Sequence, residues 1–323
     1  MRILLDCRFQ QGAGPNIATS CLLDGLIKLN TRYEFLILQH HGQSLPDYRG
    51  IRKIKVPSQK PLFEFLWVQL CLPVLLKLYN IDICHSLKHV GPLFTSVPTA
   101  LHLHAVGHFF PEGQEAFKLS LHNRIYWNHI LVWGLKRASH IFGVSRECKT
   151  VITQKFGIPE HKVSVIYNGF NQKFKVIQDS TAISEYRRSK NLPEKYILCV
   201  GNLYPHKNYE TVVRMFKKLV ALNEESPKLV IVGDTSFAKS EFHALIRQLG
   251  IESHIVFMNY VDQEELVYIY NGALLFLFPP IVESFGIPLL ESMACGVPVV
   301  ASDRGAIAEV AGGAALLLKN PRD

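Results

Sequence analysis

The stretch from Pro279 to Arg304, PPIVESFGIPLLESMACGVPVVASDR, constrains the fold of this chain more than any other. The apolar run Leu274 to Phe278 in front of it has the length and composition of a buried strand, and Pro279-Pro280 ends it. A helix capped at Ser284 or a near neighbour is expected to run through Leu289, Leu290 and Met293 to Ala294. Gly296 stops that helix, and Val297 to Ala301 form the next buried strand. Strand, loop, helix and strand in this order make one turn of a parallel α/β sheet, and such sheets bind ligands at the carboxyl ends of their strands.

Two carboxylates bracket the helix. Glu283 precedes it, and Glu291 is expected about two turns in, roughly 12 Å further along the axis at 1.5 Å per residue. Between them Ser284, Phe285 and Gly286 offer backbone N–H groups at the positive end of the helix dipole, and Gly286 admits a ligand close to the backbone. A diphosphate fits such amides, with one carboxylate on a ribose and the other on sugar hydroxyls. An ordinary amphipathic helix with two solvated glutamates has the same spacing.

The whole stretch decides between them. ESFGIPLLESMACGVPVVAS resembles the E-x7-E signature of the retaining glycosyltransferases of family 4, with Ser292 where the family usually has Ala. The resemblance implies the GT-B fold, α/β with two Rossmann-like, doubly wound parallel-sheet domains facing each other across a cleft. It divides the chain into an acceptor-side domain at residues 1–170, a polar linker at 171–193 and a nucleotide-sugar-binding domain at 194–323.

Length and composition agree with that expectation. A chain of 323 residues is long enough for two domains, and 48% apolar with 19% charged residues describes a globular protein. Seven scattered cysteines without a C-x-x-C pair point to reduced thiols and a cytoplasmic setting rather than a zinc site. The opening MRILLDCRF reads as a short strand and not as a secretory signal. The greasiest window, Leu62 to Tyr79, is interrupted by Glu64, Gln69, Pro73 and Lys77, so it reads as an amphipathic helix kinked at Pro73. Its Trp67, Leu70, Pro73 and Leu76 are expected in the core or between domains, with a membrane-surface patch as the alternative.

Charge is divided unevenly. Residues 1–170 carry 19 Lys and Arg against 10 Asp and Glu, a net +9, whereas residues 171–323 carry 16 against 17. A basic first half suits the anionic inner face of a membrane or a phosphate-bearing acceptor, and diffuse solvated charge is the plain alternative. No nucleic-acid motif or basic stripe with interleaved aromatics accompanies it, so nucleic acid is not an expected partner.

In the first domain, the strand Ile3 to Leu5 leads into a loop from Arg8 to Asn16 with Gly12-Ala13-Gly14, then a helix from about Ile17 to Leu29. By resemblance, Gly14 belongs to a loop that touches the donor phosphates. PTALHLHAVGHFFPE places His102, His104 and His108 at or beyond the end of a strand, without the carboxylate or cysteine that a metal site would add. This stretch resembles the family's H-D-L-x-x-x-x-F-P-E. Counting back from Phe110-Pro111-Glu112 puts the family's active-site histidine on His104. Ala105 stands where Asp is common, and His102 is the other register. Ala116 to Ala138 reads as an aromatic-rich helix.

In the second domain a strand, Tyr196 to Gly201, runs into GNLYPHKN, and a helix follows from Asn208. A lysine at a helix start is a fixed cation where leaving-group charge develops. The loop resembles the family's G-x-L-x-P-R-K-N, so Lys207 falls on the phosphate-binding lysine. His206 stands where Arg is common, and Asn202 replaces an Arg of some members. Asp262 is expected to cap a helix, with the backbone at Val261 beside the nucleotide base. The family pattern continues to Gly312-Gly313, and the family's further pair of helices is expected to be missing. The resemblance implies transfer of a sugar from a nucleotide-sugar, GDP-mannose by the form of the lysine loop, to a glycan or lipid-linked acceptor without a metal or other cofactor. Catalytic roles fall on His104, Lys207 and Glu283, and donor contacts on Gly14, Asn202, His206, Lys207, Val261, residues 283–287 and Glu291. The alternatives are a catalytically impaired GT-B protein that binds nucleotide or partners an active transferase, and a GT-B epimerase or phosphorylase.

Overall fold

The computed structural model describes residues 1–8, 13–29, 32–43, 45, 47–48, 50–57, 61–104, 106–109, 126–223, 225–238 and 240–321, with the backbone alone at 13–15, 61–62, 108 and 126–127. The chain folds as two compact units. Of the described residues, the first comprises 1–106 and 126–169, and 170–321 form the body of the second.

Among the described residues, the elements of the first unit are β1 (Arg2–Asp6), α1 (Ala13–Lys28), β2 (Glu34–His40), β3 (Arg52–Val56), α2 (Pro61–Leu78), β4 (Ile83–Ser86), β5 (Thr99–Leu103), α3 (Leu131–Arg137), β6 (His140–Gly143), α4 (Arg146–Thr150) and β7 (Val163–Val165). Its strands form one parallel sheet in the order β3-β2-β1-β4-β5-β6-β7. Both faces are covered: Leu4 packs with Leu36, Leu38, Leu72 and Leu76, and Leu5 with Leu23, Ile37 and Leu87. A strand buried on two faces is apolar at every position, which is why β1 reads as a run and not as an alternation.

At the carboxyl end of β1 lies a buried ionic cluster. Arg8 is fully buried and donates from Nε and Nη2 to the two carboxylate oxygens of Asp6, each at 2.7 Å. Its Nη1 lies 2.9 Å from Glu64 of α2, its guanidinium stacks 4.2 Å from the Trp67 ring, and Lys88 reaches the same Glu64 oxygen at 2.8 Å. Burial pushes the Asp6 carboxyl up, but the Arg8 charge and hydrogen bonds overcome it and hold the group ionised.

The second unit contains α5 (Ser180–Ser189), β8 (Tyr196–Val200), α6 (Tyr209–Leu222), β9 (Lys228–Val232), α7 (Ser240–Leu249), β10 (Ile255–Met258), α8 (Gln263–Asn271), β11 (Leu275–Phe278), α9 (Ile287–Ala294), β12 (Val299–Ser302), α10 (Ile307–Ala311) and β13 (Leu316–Leu318). Its parallel sheet has the order β10-β9-β8-β11-β12-β13. Tyr196, Leu198 and Val200 face one core, while Ile197 and Cys199 face the other. Helix α6 buries Tyr209, Val212, Val213 and Phe216, the one-sided spacing of a surface helix. The doubly wound architecture expected from the sequence is borne out in both units.

Local expectations differ in five places. Helix α1 begins at Ala13, so Gly14 lies in its first turn rather than in a loop. Helix α9 begins at Ile287, not near Ser284: Gly286 is its N-cap in the left-handed region, and Pro288 stands in the first turn, where its missing N–H costs nothing. Leu70 of α2 is 67% exposed and not in the core. Asp262 occupies the N-cap of α8, but its side chain makes no capping hydrogen bond. The polar stretch 171–193 carries α5, capped by Asp179 through the N–H groups of Thr181 and Ala182. Gly12, Ala105, residues 110–112 and the expected helix over 116–125 lie outside the described residues.

Candidate active site

The sheet of the second unit reverses its strand order between β8 and β11, and the candidate residues follow the carboxyl ends of those two strands. That is where a doubly wound sheet leaves a crevice for a ligand. After β8 the chain turns at Gly201 and passes Gly233, where an added Cβ would sit 2.3 Å from the Gly201 carbonyl oxygen. Only glycine allows the two loops so close. A short turn over Pro205–Lys207 then leads to Asn208, held in the left-handed conformation at the start of α6.

Several hydrogen bonds tie this loop to the one after β11. The Asn208 amide donates to the carbonyls of Pro279 (3.1 Å) and Pro321 (2.6 Å), and the Ile281 N–H donates to the His206 carbonyl at 2.8 Å. The Ser302 hydroxyl donates to the Pro280 carbonyl at 2.7 Å. With both loops held, Lys207 Nζ lies 2.6 Å from Glu283 Oε2 and 5.1 Å from the centre of the Phe278 ring. The partners are 76 residues apart in sequence.

The electrostatics follow from this geometry. Burial raises the Glu283 carboxyl, but the Lys207 ammonium and the Ser284 N–H, 3.2 Å from Oε1, hold it below its ordinary range. Burial, with Lys207 alongside, pushes the His206 imidazole down to about 4. It is therefore neutral near pH 7 and does not supply the permanent charge of an arginine. Glu291 behaves oppositely. It is buried in α9, and burial pushes it up to about 7, although the Tyr270 hydroxyl lies 3.1 Å from Oε2 and opposes the rise.

Because α9 starts at Ile287, Glu291 sits little more than one turn into the helix, and the spacing of two helical turns from Glu283 does not apply. What separates the carboxylates is an extended loop closed by Gly286, at φ 92°. A Cβ there would lie 2.9 Å from Ile307 Cδ1. Residues 284–286 thus precede the helix, with their N–H groups at its positive end. Ser284 and Phe285 are buried, and Val261 is half-buried against the core that holds Tyr270, Phe278 and Leu289. Asn202 has a different task from an arginine: its side-chain oxygen accepts the Asp234 N–H at 3.1 Å.

Sequence reasoning missed two supports. Gly305 lies against Glu283 so closely that a Cβ would stand 2.2 Å from the Glu283 carbonyl oxygen, which accepts the Ala306 N–H at 3.0 Å. Tyr270 is the only side chain hydrogen-bonded to the Glu291 carboxylate among the described contacts. The Gly after Asp303-Arg304 was a legible turn signal; the tyrosine looked like any buried helix residue.

Three candidates belong to the first unit. His102 is buried in β5 and His104 lies just past its end, with ring centres 4.4 Å apart and planes 8° from parallel, so the two rings stack on one face. His102 also stacks on His85 at 5.7 Å. Burial drives His104 down to about 3 and His85 to about 4, and it lowers His102 as well. These are neutral imidazoles. No group of metal-binding side chains is present among the described residues. Gly14 stands in the first turn of α1.

Known proteins resemble the chain along nearly its whole length. Residues 21–174 match the family Glycosyltransferase Family 4, and residues 182–322 match Glycosyl transferases group 1. The O-antigen chain mannosyltransferase RfbU of Salmonella typhimurium is 29% identical over 271 residues, 83% of this chain and 69% of the relative. An uncharacterized glycosyltransferase of Methanocaldococcus jannaschii, MJ1607, is 27% identical over 90% of this chain and 76% of its own length. Anabaena HepE, solved with UDP and glucose, superposes with a TM-score of 0.75 at 18% identity, covering 99% of this chain and 86% of HepE. WaaG, a glycosyltransferase of lipopolysaccharide biosynthesis, gives a TM-score of 0.71 at 15% identity over 97% of this chain and 84% of its own. With a family 4 domain followed by a group 1 domain, each on its own doubly wound sheet, the chain belongs to the GT-B glycosyltransferases of family 4.

Proposed function

We propose that the protein is a retaining hexosyltransferase that moves mannose from GDP-mannose to a glycan or lipid-linked acceptor at a membrane surface, without a metal. The observation that carries this reading is the Lys207–Glu283 pair, 2.6 Å apart at the point where the strand order reverses and directly before the amide-bearing start of α9. Lys207 and the N–H groups of residues 285–286 receive the diphosphate, Glu283, held by the Ser284 N–H, bonds the donor sugar, and Glu291 accepts from the ribose hydroxyls. Val261, His206 and Ile287 border the nucleotide; Gly14 and the neutral His104 are the residues of the first unit to which the family resemblance gives donor roles. In the transfer the C1–O bond to the diphosphate breaks, and the acceptor oxygen bonds C1 on the same face. The acceptor proton passes to the departing phosphate oxygen. Fixed donors aimed at that oxygen supply charge stabilisation where it develops, and the loss of one such donor costs roughly 3–4 kcal/mol.

The sugar is suggested by relatives, among them the O-antigen chain mannosyltransferases RfbU and, from Escherichia coli, mannosyltransferase B, 26% identical over 198 residues, and GDP by the form of the lysine loop. The test is transfer of label from GDP-mannose and, in parallel, UDP-glucose, each with and without EDTA. Mannose transfer that is insensitive to EDTA and retains the anomeric configuration is expected. Transfer from UDP-glucose alone overturns the donor assignment, loss of activity in EDTA overturns metal independence, and nucleotide binding without turnover overturns the enzyme reading.

A further inference from the structure

The exposed face of α2 is apolar along its length. Phe63, Leu66, Leu70, Val74 and Leu78 are 58%, 42%, 67%, 55% and 75% exposed, and their spacing of three or four residues sets them in one stripe. The other exposed side chains of the helix described are Cys71 and Lys77. The one carboxylate of α2 is absent from this face, because Glu64 turns inward to Arg8 and Lys88. Gln69 extends the surface sideways: its side chain accepts the Leu93 N–H at 2.8 Å and donates to the Gly91 carbonyl at 3.3 Å, fixing beside α2 the loop that carries Phe94. Phe94 (61% exposed) meets Trp133 (45% exposed) edge-on at 5.5 Å, with Arg137 5.4 Å from the Phe94 ring and Lys136 exposed beside them.

We propose that this face of α2, with the Phe94–Trp133 pair, seats the protein on an anionic lipid surface. A soluble protein exposes a contiguous apolar stripe of this length only where something covers it. Two observations select lipid over a second copy. The charges on and beside the patch are cationic, with a net +9 over residues 1–170, so a symmetric pair would bring two cationic patches together. An anionic headgroup layer is complementary to the same charges, while the stripe enters the acyl boundary and the aromatic pair sits at headgroup level. No described helix is long and apolar enough to cross a membrane, so α2 lies in the surface. This deepens the reading of a membrane-side acceptor, but its test reads lipid binding and not sugar transfer.

The experiment is flotation of the full chain with vesicles of phosphatidylcholine containing about a third phosphatidylglycerol, against vesicles of phosphatidylcholine alone. Binding is expected to the anionic vesicles and to weaken in high salt. The double variant Leu70→Glu/Val74→Glu is expected to lower partition at least tenfold, with an unchanged melting temperature because both positions face water. Lys77→Glu/Lys136→Glu is expected to weaken it by about fivefold or more for each cation reversed. Leu222→Glu, at an 84% exposed position on α6, serves as the control and is expected to bind as the parent does. Failure to bind anionic vesicles overturns the proposal, as does binding indifferent to the α2 double variant. A concentration-dependent dimer in sedimentation that the same variant abolishes assigns the face to a second copy and also overturns it. Transfer to a soluble acceptor by the α2 variant at the parental rate separates failure here from failure of the functional reading.

Discussion

In the proposed reaction Lys207 acts as a fixed cation, and the structure explains why it is held in place. Its ammonium is bonded to Glu283 before any ligand arrives, so its side chain is already ordered, and two N–H directions remain for phosphate oxygens. Lys207→Ala and Glu283→Ala are each expected to lower kcat at least about a hundredfold, with circular dichroism and melting close to parental. Turnover at the parental rate in either variant removes the pair from the mechanism. Glu291 should respond to pH. Burial raises its carboxyl to about 7, so the folded state binds a proton that the unfolded chain releases above its ordinary value of 4.5. Stability associated with this group therefore falls as pH rises between those values. Affinity for a nucleoside diphosphate is expected to rise across the same range and on to about pH 8, because ribose hydroxyls donate to the ionised form. Titration calorimetry of Glu291→Gln should show that pH dependence abolished; an undiminished slope assigns it elsewhere. His206 lies outside this effect, since at about 4 it is already neutral.

At the scale of elements, the site depends on how loops end strands. The turn before α9 requires the left-handed Gly286, and the approach of the 303–306 segment to the Glu283 carbonyl requires Gly305, at φ 58°. Gly286→Ala is expected to cost about 1–3 kcal/mol from backbone conformation alone, measured by denaturant unfolding. Gly305→Ala should act differently: its Cβ must push the Glu283 backbone away, so nucleotide-sugar turnover falls further than stability does. Turnover and stability that fall in proportion would argue against a positioning role. The lysine loop and the E-x7-E stretch could be located from their residues because glycine and proline mark the strand ends. Where α9 starts was not legible. Ser284 offered a cap by type, but Gly286 and Pro288 set the first turn, and local capping preference yields to packing against Ile307 and Phe278.

Across the whole molecule, each unit has its own sheet and its own cores, and the candidate donor residues Lys207, Glu283 and Glu291 all belong to the second. In the first unit, Asp6→Asn would leave the fully buried Arg8 short of its closest counter-charge, a loss of about 3–5 kcal/mol. Calorimetry of that variant is expected to show an early transition, with nucleoside diphosphate affinity within about twofold of the parent; a matching loss of affinity would contradict the reading that Lys207, Glu283 and Glu291 carry most of that affinity. Two parallel α/β units, the order of their strands along the chain and the glycine turns beside Glu283 were all determined by sequence, because apolar runs and turn residues are local signals. The contact of Lys207 with Glu283, the protonation of Glu291 and His206, and the side of α2 left open to solvent were decided only by tertiary structure. Each depends on which loops the sheet order brings together and on what is shielded from water, and neither quantity is carried by neighbouring residues in the chain.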